Sequence, residues 1–271
     1  MTASIPPRLT AENIEAGYGK SMVLKDVGLE FPTGKVTAIV GPNGCGKSTL
    51  LGTLARLIKP VGGAVLVDGK SIGKLSPREA ALKIGLLPQN ATAPEGLTVY
   101  DLVRFGRHPH QGLLRQWSPE DRDAVEAAMA AADVTALADR ALDTLSGGQR
   151  QRAWVAMAIA QETPLLLLDE PTAFLDLGHQ LEIFELVRTL SAAGKTCVLV
   201  LHDLSSACRY ADHLVAMRGG AVIAQGAPRD VVTPRLIADL YGVACQLLHD
   251  PVTGTPILAG MRMLQAKESL L

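Results

Sequence analysis

The sequence predicts an α/β fold with a mainly parallel sheet, an antiparallel β region near its start and a helical segment inserted in its middle. Three observations predict it. Short apolar runs at 36–40 (VTAIV), 165–168 (LLLL) and 196–201 (TCVLVL) read as buried strands. Between them lie amphipathic stretches that open on helix-start residues. A third sign is Gly219-Gly220, a hairpin turn between the strand-like runs 213–217 and 221–225.

Taken in order, the strand 36–40 runs into a glycine-rich loop and then a helix from Lys47 to about residue 58. Val65 to Val67, closed by Asp68-Gly69, belongs to the antiparallel region. Ser76-Pro77-Arg78-Glu79 supplies the N-cap, the N1 proline and the N3 acid of a helix start. Ser118-Pro119-Glu120-Asp121 repeats those signals, and the alanine-rich run to Ala132 favours helix, so the stretch from about 90 to 140 is mainly helical. A Ser-Gly-Gly turn then leads into a helix over about 149–161, the strand 165–168, and a helix over about 178–193 that stops at Gly194, a natural C′ residue. The strand 196–201 and the hairpin follow. With no internal repeat and no low-complexity linker, the expectation is one domain over 1–271. A helical subdomain at about 90–160 is inserted in it, and a small extension at about 228–271 closes it.

Composition narrows the function. A mean hydropathy of +0.20 is high for a water-soluble chain, yet no apolar run approaches the roughly 20 residues that span a bilayer. The excess is therefore assigned to a core and to interfaces. Twenty-six basic against 27 acidic side chains argue against a nucleic-acid binder. The first eight residues lack the pattern of a secretion signal. Cysteines 45, 197, 208 and 245 show no metal-ligand spacing, and a reducing cytoplasm is the simplest compartment. His108 and His110 flank a proline, which reads as surface chemistry and not as a metal site.

Three motifs carry chemistry. Gly41-Pro42-Asn43-Gly44-Cys45-Gly46-Lys47-Ser48-Thr49 is a complete G-x-x-x-x-G-K-[ST] loop between a strand and a helix. Its glycines let backbone N–H groups turn inward around phosphate oxygens, Lys47 is expected to add charge at the β and γ phosphates, and Ser48 to be a magnesium ligand. The strand 165–168 then delivers Asp169 and Glu170 to its carboxyl end, the edge where parallel sheets bind ligands. Asp169 is suited to hold Mg²⁺ through water and Glu170 to polarise an attacking water. Alone, an Asp-Glu pair is more often a cap or a solvated turn; the preceding loop reverses that reading. Finally, Leu145-Ser146-Gly147-Gly148-Gln149 opens a helix, with Ser146 placed to cap it or to donate to phosphate and two glycines leaving N–H groups uncovered.

With these motifs in this order, the chain resembles the ATP-binding subunits of ABC transporters over nearly its whole length. The resemblance implies an ABC ATPase with a P-loop NTPase core, ATP and Mg²⁺. It extends to Tyr18 as the aromatic that stacks on adenine, Gln89 as the sensor of magnesium and water, Asp176 in the loop that crosses a dimer interface, and His202 as the switch at the γ-phosphate. It also implies a second copy of the chain as partner. In the family two subunits sandwich two nucleotides, the phosphate loop of one facing LSGGQ of the other.

A finer resemblance rests on Leu97-Thr-Val-Tyr-Asp-Leu-Val, Gly106-Arg-His-Pro-His-Gln-Gly112, Ala224-Gln-Gly-Ala-Pro and Leu240-Tyr-Gly. These stretches look like the subgroup that imports ferric siderophores, haem and vitamin B12, and a ferric siderophore is favoured. The implied partners are membrane permease subunits, reached through 90–96 and the helix from Val99, and indirectly an extracytoplasmic binding protein. The implied location is peripheral, on the cytoplasmic face of the inner membrane. The alternatives are a haem or vitamin B12 importer, an exporter ATPase, and a soluble ABC protein acting on a ribosome or DNA.

Overall fold

Two units divide the chain in the computed structural model, which describes residues 7–89, 91–112, 117–173 and 175–264. One comprises Met1–Gly73 with Val198–Leu271, the other Lys74–Cys197. The first begins with β1 (Leu9–Tyr18), β2 (Ser21–Phe31), β3 (Val36–Val40), α1 (Lys47–Leu54), β4 (Gly62–Val67) and β5 (Lys70–Ser71). The second runs through α2 (Pro77–Ala81), β6 (Ile84–Leu87), α3 (Val99–Phe105), α4 (Pro119–Ala131), α5 (Gly147–Ala160), β7 (Leu165–Asp169) and α6 (Leu177–Ala192). β8 (Thr196–Val200) carries the chain back. The first unit then ends with α7 (Leu204–Tyr210), β9 (His213–Arg218), β10 (Ala221–Gly226), α8 (Pro228–Val231), α9 (Pro234–Tyr241), β11 (Val243–His249) and β12 (Pro256–Met263).

In the first unit the antiparallel region is a four-stranded sheet in the order β2-β1-β4-β5. Asp68 and Gly69 both take positive φ, the primed turn that suits a two-residue hairpin between β4 and β5. A second sheet places β10, β9, β3 and β8 side by side, with β3 parallel to β9 and β10 antiparallel to it. β3 is buried at every position, and each fully buried aliphatic side chain there contributes about 1.5–3 kcal/mol. The first unit closes with an antiparallel hairpin of β11 and β12, which the sequence pattern did not reveal. α1 ends at Leu54, short of the expected 58. Arg56 turns to φ 64°, and the N–H groups of Leu57 and Ile58 fold back to the Gly52 carbonyl at 2.8 and 3.1 Å.

In the second unit β6 and β7 pair in parallel, β7 buried throughout. Both predicted capping boxes form: Ser76 with Glu79 and Ser118 with Asp121. Helices α3, α4 and α5 share a core of Leu102, Val103, Val125, Met129, Ala153 and Ala156. The alanines of α5 let its neighbours approach closely. At the edge of that core Arg107 is buried with Asp121, Nε to Oδ1 at 2.9 Å, and also donates to the Ala160 carbonyl at 2.8 Å and to Glu162 at 2.7 Å. Burial pushes the Asp121 carboxyl up, but hydrogen bonds from Arg107 and Ser118 outweigh it and hold it below the usual carboxylate range. No helix among the described residues is long and apolar enough to cross a membrane.

Candidate nucleotide-binding site

The phosphate-loop motif occupies the turn from β3 into α1, in the first unit. Gly41, Gly44 and Gly46 take φ of 149°, 76° and 104°, conformations that glycine adopts without a Cβ penalty. A Cβ on Gly41 would lie 2.1 Å from the Met217 carbonyl oxygen, so only glycine lets the loop leave β3 beside β9. Around Gly44 the same test finds nothing within 4 Å. Gly46 is the N-cap of α1 and offers no side chain to cap it, and a helix start of this kind favours an anion. Lys47 is buried and donates to the carbonyls of Gly41 and Pro42 at 2.9 and 3.1 Å, which holds its ammonium across the loop. Burial pushes the Cys45 thiol up, against the charge of Lys47.

A brace for this loop comes from the Gly219-Gly220 turn. The N–H of Gly220 donates to the Cys45 carbonyl at 3.0 Å, while the Gly220 carbonyl accepts from Lys25 at 3.0 Å. The sequence showed a hairpin there and nothing of its target, because the two segments lie far apart in the chain. Also in the first unit, Tyr18 ends β1 with 60% of its surface exposed, an aromatic face open to a planar partner. His202 follows β8 and is exposed; Leu201 before it donates to the Ile39 carbonyl at 3.1 Å, and Asp203 after it caps α7.

The second unit brings together Gln89, Asp169 and Glu170. β6 and β7 run parallel, so their carboxyl ends present Gln89 and the acid pair along one edge. Gln89 Nε2 donates to Glu170 Oε2 at 2.6 Å. Both acids are nearly buried, at 8% and 9% exposure. Glu170 takes φ 52°, a left-handed conformation that costs a non-glycine residue on the order of 1–3 kcal/mol and is found where function holds it.

LSGGQ opens α5 in the same unit. Ser146 Oγ accepts from the Gln149 N–H at 3.2 Å, and Gln149 Oε1 accepts from the Ser146 N–H at 3.2 Å, a reciprocal box. The Ser146 hydroxyl hydrogen is still able to donate outward, so the cap and the anion role are compatible. Gly147 is exposed and a Cβ there would meet nothing within 4 Å. Asp176 caps α6, accepting from the His179 N–H at 3.0 Å and lying 2.8 Å from its ring Nδ1. Those His179 bonds hold the Asp176 carboxyl below the usual range. Phe174, between the acid pair and Asp176, and Asn90, which follows Gln89, lie outside the described residues.

A loop wound on glycines at a helix start, an acid pair on a buried strand and a second open helix entry together decide between chance and kinship. The family model for ABC transporters matches residues 24–173. The chain belongs to the ABC transporter family. It is an ATP-binding ABC ATPase, similar over 95% of both chains, at 53% identity, to the ferric enterobactin transport ATP-binding protein of Escherichia coli (strain K12). Among solved structures it is similar to a putative metal-chelate type ABC transporter in an inward-facing conformation, with a TM-score of 0.80 at 27% identity over 94% of this chain and 97% of that one. It is also similar to a bacterial ABC transporter cassette solved as a dimer, with a TM-score of 0.73 at 30% identity over 81% and 98%. For this ABC ATPase the P-loop fits a triphosphate on its own geometry: three wound glycines, an uncapped helix start and one buried ammonium.

Proposed function

We propose that this chain drives an importer of ferric siderophores, hydrolysing ATP as one of a head-to-tail pair that engages a membrane permease. The 53% identity to a ferric enterobactin transport subunit over nearly the whole length carries the reading. On it, the entire chain 1–271 acts as one ABC ATPase domain, with a helical subdomain at about 90–160 and a C-terminal extension at about 228–271. It works peripherally on the cytoplasmic face of the membrane, with an extracytoplasmic binding protein selecting cargo.

Within that reading, the backbone N–H groups of the loop 41–49, which Pro42 alone lacks, and Lys47 neutralise phosphate charge, and Tyr18 stacks on the adenine. Ser48, Asp169 and Gln89 supply oxygen donors, the hard ligands that suit Mg²⁺. When bound, that ion supplies charge neutralisation at the phosphates. Glu170 orients the attacking water and accepts its proton, and the amide of Gln89 holds that carboxylate in place. His202 reports the γ-phosphate. Ser146, Gly147, Gly148 and Gln149 receive the triphosphate held by the partner, and Asp176 crosses to the partner. Positioning and charge neutralisation do most of the work in phosphoryl transfer.

Reconstitution with the cognate permease tests the proposal. ATP hydrolysis and uptake are expected to rise when the binding protein is loaded with a ferric siderophore; stimulation by haem or cobalamin alone would redirect the cargo. Glu170→Gln is expected to keep ATP affinity while lowering turnover on the order of 10²- to 10⁴-fold and leaving the pair closed. Wild-type hydrolysis in that variant would remove Glu170 as the base.

A further inference from the structure

One imidazole in the second unit touches two parts of the proposed dimer interface at once. His179 Nδ1 lies 2.8 Å from Asp176 Oδ2, while the other Asp176 oxygen takes the His179 backbone N–H at 3.0 Å. The same ring lies against the LSGGQ loop. A Cβ on Gly148 would stand 3.3 Å from its Cγ and 3.4 Å from its Cδ2 and Nδ1. That is close enough that glycine there makes room for the ring. A carboxylate only accepts, so Nδ1 carries the hydrogen and the flat face of the ring covers Gly148.

We infer that His179 is a positioning residue that ties Asp176 to Gly148 of LSGGQ within one protomer, setting the aspartate and the exposed helix-entry amides as one rigid feature. The inference rests on the proposed head-to-tail pair, in which both elements meet the partner. Neither asparagine nor phenylalanine keeps both contacts. An asparagine places an amide nitrogen near the Nδ1 position but lacks the ring face, and a phenylalanine keeps the ring and loses the donor. The backbone N–H of His179 completes the cap of α6 whatever the side chain is. Substituting the ring therefore leaves the backbone hydrogen bond of the cap in place.

The test uses the full chain with its permease and compares His179→Ala, His179→Asn and His179→Phe by steady-state ATPase, melting temperature and binding of a fluorescent ATP analogue. His179→Ala is expected to lower kcat about tenfold with KM within twofold and with analogue affinity unchanged, since the phosphate loop is untouched. His179→Asn is expected to recover at least threefold of that loss and His179→Phe to recover none. Wild-type kcat in His179→Ala overturns the inference, as does equal recovery by Phe and Asn, or no recovery by Asn. Should the alanine variant fail to fold, the Asn-to-Phe ratio of kcat in the two other variants decides in the same way. Absence of ATP hydrolysis in the wild-type complex would instead overturn the proposed function, and so separates the two.

Discussion

Two glycine-bearing loops each lead into a helix here, and they use glycine for opposite reasons. In the loop 41–46 the glycines take positive φ and carry backbone shape. Lys47 fastens that loop to its own carbonyls, and the Gly219-Gly220 turn braces it from outside. At Gly147 and Gly148 neither glycine has positive φ. Their use is access: open space over Gly147 and room for an imidazole over Gly148. The first loop is fully formed and leads into a helix that no side chain caps. The second is an ordinary capped helix start whose outer surface has been cleared, as suits a site that another molecule must complete.

The comparison can be pressed experimentally. Removing the ammonium in Lys47→Ala strips a charge-assisted bond worth about 1.5–3 kcal/mol, so ATP affinity should fall on the order of tenfold to 10²-fold by calorimetry; unchanged affinity would deny the first loop its role. Gly41→Ala forces a Cβ against the Met217 carbonyl and should cost about 3 kcal/mol of stability, seen as a lower denaturant midpoint. Gly147→Ala should do the reverse. Folding stability is expected to stay within about 0.5 kcal/mol, while ATP-driven pairing, followed by light scattering, weakens about tenfold as one amide is screened. A Gly147→Ala variant that melts early but pairs normally would erase the distinction between the loops. Ser146→Ala should cost folding about 1 kcal/mol for a lost cap, less than Gly41→Ala and more than Gly147→Ala, measurable by thermal unfolding.

Much of this architecture was legible because its signals are local. The P-loop, the acid pair and LSGGQ each sit in a short window flanked by the expected strand or helix. β1 and β2 were harder to read. Their alternation is broken by register shifts near Ile14, where Asn13 and Asp26 take positive φ and hydrogen-bond each other at 2.7 Å. The early end of α1 was hidden for a similar reason, since no glycine or proline marks Arg56. In the candidate site, the pairing of Gln89 with Glu170, the brace from Gly220 and the ring of His179 on Gly148 were not legible. Each joins segments distant in sequence, or depends on a side-chain direction that no spacing rule encodes. The cap of α5 shows the limit well: the sequence marks Ser146 as a cap, but marks its reciprocal partner Gln149 only by its place in the motif.

The brace at Gly220 makes the nucleotide loop a poor module to transplant. Every letter of the phosphate motif lies within 41–49, and the family match ends at 173, yet the carbonyl of Cys45 is tied down by a turn whose strand also crowds Gly41. A graft carrying the motif and leaving the hairpin behind would preserve the text and lose the shape. Substitutions around 217–220 therefore belong with lesions of ATP binding, although none of those side chains need approach the nucleotide.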